Sequence, residues 1–276
     1  MEFNEKHILI EGNNVSYVDE GQPGGIPIIF IHGFPFNKET WSNQLEVLKE
    51  SYRVIAYDVR GYGNSETGNV LLSVPQFAGD LFSFMDALEI ETVIVCGLSM
   101  GGYIALNAIH HQPERISALI LCDTQCMADS EEAKKKRMDT IVTIQKNGLS
   151  TYAHDSVMKL FSETSLNDKP EEVSSIEQTI LQTRSETIIN TLRALAERKE
   201  TCSSLHNISI PVLILVGEDD QITPPPAAQK MNSLITGSRL QVIKNAGHLS
   251  NLENPDSFNS HLQIFLTTIE QVSTHL

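Results

Sequence analysis

Basic side chains are scarce: 20 Lys and Arg stand against 35 Asp and Glu in 276 residues, a formal net charge of −15. A protein that grips nucleic acid needs a basic face to neutralise phosphates, so nucleic acid is excluded as the expected partner. An anionic membrane surface is disfavoured on the same ground, and the acidic excess reads as a source of solubility. Only four cysteines occur, Cys96, Cys122, Cys126 and Cys202, and no two form a CxxC pair. Zinc and dithiol redox motifs are therefore not expected. Cys96 and Cys122 sit in apolar runs as small hydrophobes, and four free thiols suit a reducing cytosol. No apolar run is long enough to span a bilayer. The opening segment MEFNEKHILI lacks the basic-then-apolar pattern of a secretory leader. A cytoplasmic location is expected. No internal repeat and no low-complexity tract interrupts the chain, and tryptophan occurs once, at Trp41.

What is present is an ordinary globular composition, 41% hydrophobic and 20% charged. The length suits one large domain with an insertion. Short Val- and Ile-rich runs alternate with helical patterns. Ile8–Ile10 and Val15–Val18 flank Asn13-Asn14 and predict a hairpin turning there. Ile28–Ile31, Val54–Tyr57, Thr92–Cys96 and Ala118–Cys122 read as strands. Thr40–Glu50, Pro75–Leu88 and Gly102–His110 read as helices between them, with Phe77, Leu81, Phe84, Met85 and Leu88 marking the apolar face of the second. This alternation predicts a mostly parallel sheet covered on both faces. From about Ser130 to Lys199 four helical segments follow with little strand signal, and Met138, Ile141, Val142 and Ile144 form an apolar face on the first. Strands return at Pro211–Val216 and Leu240–Ile243, and Pro255–Ile269 is a closing helix.

The strongest chemical signal is Gly97-Leu98-Ser99-Met100-Gly101, directly after a strand and opening a helix. A nucleophile on so sharp a turn adopts a strained backbone, so its neighbours must lack bulk. Gly97 and Gly101 meet that need, and Gly102 lets the helix approach the sheet. Ser99 would then stand above the carboxyl edge of the sheet, where doubly wound proteins bind ligands. A serine hydroxyl needs a base. Of nine histidines, His248 follows the last strand in a loop at that same edge, whereas His32 belongs to a glycine loop and His110-His111 to a helix end. His7, His154, His206, His261 and His275 have no motif around them. The base in turn needs an orienting carboxylate. Glu218, Asp219 and Asp220 follow the strand PVLILV, and Asp123 ends a strand of its own. The order serine, acid, histidine matches one known triad order. The oxyanion of acyl transfer needs backbone donors. The N–H of Met100 is one, and the N–H of Phe34 in His32-Gly33-Phe34-Pro35-Phe36 is the other, since Pro35 has none.

These segments, HGFPFN, DVRGYGNS, GLSMGG, GEDDQITPP and AGHLSNLENP, resemble the alpha/beta-hydrolase superfamily in content and order, over nearly the whole chain. The resemblance implies a mostly parallel eight-stranded sheet with helices on both faces and a helical cap. The implied division is a core at 1–125, a cap at 126–205 and the rest of the core at 206–276. It also implies a triad of Ser99, Asp220 and His248. Asp220 is chosen over Asp219 because family members typically carry the acid three residues after the glycine, here Gly217. Asp58 and Arg60 are expected to pin their loop by charge-assisted hydrogen bonds, and Trp41 either lines the pocket or packs in the core. GLSMGGYIAL and AGHLSNLENP look most like enol-lactonases of the 3-oxoadipate type and related carboxylesterases. The implied reaction is hydrolysis of a small-molecule ester or lactone, with no metal and no organic cofactor. Cofactor-free haloperoxidases or perhydrolases and carbon–carbon bond hydrolases share a similar triad and stay open as alternatives. Serine at position 99 excludes the aspartate-nucleophile dehalogenases and epoxide hydrolases. A non-catalytic binding protein on the same fold would be expected to carry a broken triad or oxyanion loop.

Overall fold

Ile28, Ile29, Phe30 and Ile31 are all fully buried, with Ile29 and Ile31 in one apolar cluster and Ile28 and Phe30 in another. Successive strand residues point to opposite faces, so this strand is covered on both sides. The computed structural model describes residues 3–24 and 27–273; His275 and the first two residues of the opening segment lie outside them. In chain order the elements are β1 Lys6–Ile10, β2 Asn13–Gly21, β3 Ile28–Ile31, α1 Ser42–Leu48, β4 Arg53–Tyr57, α2 Val74–Ala87, β5 Val93–Leu98, α3 Met100–His111 and β6 Ile116–Cys122. Then come α4 Glu131–Asn147, α5 Ser150–Leu160, α6 Glu163–Asp168, α7 Pro170–Gln182, α8 Ser185–Glu197, β7 Val212–Gly217, α9 Pro225–Leu234, β8 Arg239–Ile243, α10 Ser250–Glu253 and α11 Pro255–Ser273.

The strands form one eight-stranded sheet in the order β1-β2-β4-β3-β5-β6-β7-β8. β2 runs antiparallel to β1 and β4, and the remaining neighbours are parallel. The fold class expected of the chain is the one observed. From β3 the chain steps first to β4 on one side and then to β5 on the other. That reversal opens a crevice beyond the carboxyl ends of β3 and β5, the usual ligand position in open α/β sheets. Among the described residues no helix is long and apolar enough to cross a membrane.

Local chemistry explains the elements. Ser73 caps α2 by accepting the Gln76 N–H, and Pro75 sits in the first turn. Phe77, Leu81, Phe84 and Met85 of that helix are buried on the sheet, each contributing about 1.5–3 kcal/mol of burial. Ser130 likewise caps α4. On α4 only Ile141 and Ile144 of the expected apolar face are buried; Met138 and Val142 are 40% and 46% exposed. Their spacing does not keep all four on one side of a 3.6-residue helix.

Three other expectations need correction. The hairpin turns at Glu11-Gly12, both at positive φ, and Asn13-Asn14 already belong to β2. Glycine tolerates that conformation best, and a two-residue turn with positive φ at both positions matches the strand twist. Trp41 is fully buried, its ring 5.1 Å from Phe30 and 6.3 Å from Phe258, and it lines no part of the cavity described below. Its apolar area is satisfied by the cluster under α1 and α11. Finally, Cys126 and Cys202 are disulfide-bonded, with Cα atoms 4.8 Å apart. Cys96 and Cys122 are the free thiols, so a count of four free thiols no longer argues for a reducing compartment.

Candidate active site

The turn from β5 into α3 leaves no room for side chains at its glycines. A Cβ on Gly97 would lie 2.4 Å from the Gly101 backbone, and one on Gly101 would lie 2.2 Å from the Ile31 carbonyl oxygen. A Cβ on Gly102 would meet the Thr124 hydroxyl at 2.4 Å. Ser99 between them adopts φ 52° and ψ −108°, a conformation costing a non-glycine residue about 1–3 kcal/mol. The surroundings hold it there: its N–H donates to the Cys122 carbonyl at 2.9 Å, and its own carbonyl accepts from the Thr124 hydroxyl at 2.8 Å.

His248 follows β8 and Asp220 follows β7, both at the carboxyl edge of the sheet. His248 Nε2 lies 2.9 Å from Ser99 Oγ, and His248 Nδ1 lies 2.8 Å from Asp220 Oδ2. Ser99, His248 and Asp220 are each at least nine-tenths buried. Asp220 also accepts from the N–H groups of Ile222 and Thr223 and from the Thr223 hydroxyl, all within 3.0 Å. Burial disfavours its charge, but the adjacent imidazole and these donors hold its pKa below the usual carboxylate value. Burial likewise works against a charged His248, but the Asp220 carboxylate outweighs it and raises the imidazole pKa above 6.5. Glu218 and Asp219 are exposed. Asp123 takes other hydrogen-bond partners. It is fully buried, accepts the Gly217 N–H at 2.7 Å, and meets the Ser250 hydroxyl at 2.5 Å.

A cavity of about 650 Å³ opens over Ser99 and His248, within the range of small-molecule sites. Phe34 and Met100, the residues carrying the expected oxyanion donors, both line it. The loop bearing Phe34 is held by the Phe36 N–H donating to Gly33 at 2.9 Å. Fully buried His32, before that loop, accepts the Val59 N–H on Nε2 at 3.0 Å, and burial pushes its pKa down to about 4. It is a neutral brace for that loop. Asp58 accepts from Lys38 and from the Asn64 N–H, and Arg60 makes a bidentate pair with Asp80. Both therefore pin their loops. Most of the remaining wall comes from α4, α5 and α8, with Arg137, Thr140, Tyr152, Leu160 and Leu195 among its residues, and Tyr103 and Ile222 add to it. Lys136, Arg137 and Lys159 bring positive charge to this wall. Among the described residues no group of three or more His, Cys, Asp or Glu is arranged to hold a metal ion.

One residue at the site carries no isolated signal in the sequence. Glu253 is buried, and its Oε1 accepts the N–H groups of Gly247 and Leu249 on either side of His248, at 2.8 and 3.3 Å. Its Oε2 accepts the Ser162 N–H at 2.8 Å. The one hint was an acid just before Asn254-Pro255, five residues past the histidine.

A family model described as alpha/beta hydrolase fold matches residues 26–255. The 3-oxoadipate enol-lactonase 2 of Acinetobacter baylyi is 30% identical over 245 residues, 89% of this chain and 90% of that one. A thermophilic esterase from Thermogutta terrifontis superposes with a TM-score of 0.90 at 31% identity, covering 96% of this chain and 99% of that one. The enol-lactonase from Burkholderia xenovorans gives a TM-score of 0.88 at 25% identity, covering 95% and 100%. With a family model matching most of its length and such relatives covering nearly all of it, this chain is an enzyme of the alpha/beta-hydrolase superfamily.

Proposed function

We propose that this enzyme hydrolyses a small-molecule carboxylic ester or lactone through a Ser99–His248–Asp220 triad and an acyl-enzyme. The observation that carries the reading is the unbroken hydrogen-bond chain from Ser99 Oγ to His248 to Asp220, at 2.9 and 2.8 Å, on the floor of a cavity. Ester-acting relatives support the same class. Ser99 Oγ attacks the substrate carbonyl while His248 Nε2 takes its proton. Asp220 stays ionised, accepts the Nδ1–H and stabilises the imidazolium. The N–H groups of Phe34 and Met100 hold the oxyanion; removing one such donor typically costs about 10²–10³ in kcat. His248 then protonates the departing alkoxide or enolate oxygen. It next takes a proton from water, which attacks the acyl carbonyl; the intermediate collapses to the acid, and His248 returns the proton to Ser99 Oγ. Every step uses side chains and backbone of the chain itself.

Residues 126–205 act in this reading as a cap between the two parts of the core, 1–125 and 206–276. Its helices α4, α5 and α8 supply cavity wall, so it would set substrate fit. The test is turnover of a panel of p-nitrophenyl esters, simple lactones and an enol-lactone by wild type and Ser99→Ala. Turnover that vanishes in the variant is the expected result. A wild type inert to the whole panel and unlabelled by a fluorophosphonate would overturn the reading in favour of a binding role.

A further inference from the structure

Two cavities meet at one side chain. The cavity of about 650 Å³ over Ser99 and a second of about 470 Å³, bordered by Pro75, Asn107, His110, Met127 and Glu197, share Tyr103 and, among the described residues, no other. Tyr103 lies four residues past Ser99, and its N–H donates to the Ser99 carbonyl at 3.2 Å. Ser99 and Tyr103 both line the first cavity. The ring is therefore within reach of whatever sits on the nucleophile.

The ring is also backed by a fixed plate. The Arg198 guanidinium carbon lies 4.4 Å from the Tyr103 ring centroid, a cation–π contact. Arg198 is 7% exposed and its donors are committed: to Asp129 Oδ1 at 2.5 Å, to the Leu195 carbonyl at 2.8 Å and to the Met127 carbonyl at 3.1 Å. Asp129 also binds Arg137, itself part of the wall of the first cavity. The guanidinium thus ties the start of the segment between β6 and β7 to its end, and Tyr103 leans on that tie. Moving the ring into the second cavity would require breaking it. Tyr103 is a wall, not a swinging gate.

We propose that Tyr103 determines substrate size: it ends the space for one arm of the substrate and restricts the enzyme to esters or lactones with a compact group on that side. This rests on the hydrolase reading above. The second cavity is the room that a smaller residue would add.

Two homologous series test it, p-nitrophenyl esters of increasingly long acids and acetate esters of increasingly long alcohols. Wild type, Tyr103→Phe, Tyr103→Leu and Tyr103→Ala are compared by the long-to-short ratio of kcat/KM. Truncation to Leu or Ala should raise that ratio about tenfold or more in one series. Tyr103→Phe keeps the ring and should leave it unchanged. The Leu variant serves if the Ala variant does not fold, and turnover of the shortest ester reports an intact site. Unchanged ratios in both series, with the shortest ester still turned over, would overturn the size role while leaving the hydrolase reading in place. A wild type inactive on every ester would overturn both.

Discussion

The Ser250 hydroxyl lies 2.5 Å from Asp123 Oδ2, two residues beyond His248. The other oxygen of the same carboxyl accepts the Gly217 N–H, three residues before Asp220. Asp123 thus fastens the loop of Asp220 to the loop of His248. Burial, aided by the nearby Asp220 charge, pushes its pKa up to about 8 from 3.8. A carboxyl whose folded pKa is raised holds a proton that the unfolded chain has lost. Its contribution is therefore present below the unfolded value and lost as pH rises through the window from about 4 to about 8, by at most about 1.4 kcal/mol per pH unit. Asp123→Asn keeps a neutral side chain of the same shape. Denaturant unfolding should show a flatter fall of stability between pH 5 and 8 in the variant. Equal slopes would contradict a neutral Asp123.

In the proposed mechanism the Asp220–His248 pair sets the pH dependence of activity. His248 must be neutral to take the proton from Ser99, and its pKa lies above 6.5. The acid limb of kcat/KM should therefore have its midpoint above 6.5. Asp220→Asn should lower kcat by about 10⁴ and move that midpoint down, because the charge that raises the imidazole is gone. A limb that stays in place would place the controlling charge elsewhere.

Glu253→Gln should loosen the His248 loop. Its carboxylate accepts three backbone N–H groups, and an amide would point a donor at one or more of them. The loss should be about 1.5–3 kcal/mol of stability, and misplacement of His248 should lower kcat up to about 100-fold. Urea unfolding and steady-state kinetics report both. An unchanged kcat would show that the loop holds itself.

The cysteines allow a count. Thiol titration of the native protein should find none reactive, since Cys96 and Cys122 are fully buried. Denaturation without reductant should expose those two, and reduction all four. Cys202→Ser should remove a cross-link closing a span of 76 residues, worth about 2–4 kcal/mol. Four reactive thiols in unreduced, denatured protein would contradict the bond.

Much of this was legible in the sequence because it was written locally. The apolar run Ile28–Ile31 reads as a buried strand, and the glycines around Ser99 mark a turn that admits no Cβ. What escaped depends on partners distant in sequence. Nothing near Cys126 marks Cys202. Trp41 stands next to the oxyanion loop in sequence, yet its ring points toward Phe258. Asp123 stands out only as a possible partner for the histidine, and Glu253 not at all, until the fold brings three chain segments around each.

The most direct test of the account is the site of covalent modification. The protein is treated with a fluorophosphonate and digested, and the modified peptide is found by mass spectrometry. The expected adduct lies on Ser99, is absent in Ser99→Ala, and forms far more slowly in His248→Ala. An adduct elsewhere, or equal labelling with His248 removed, would contradict a serine activated by that histidine.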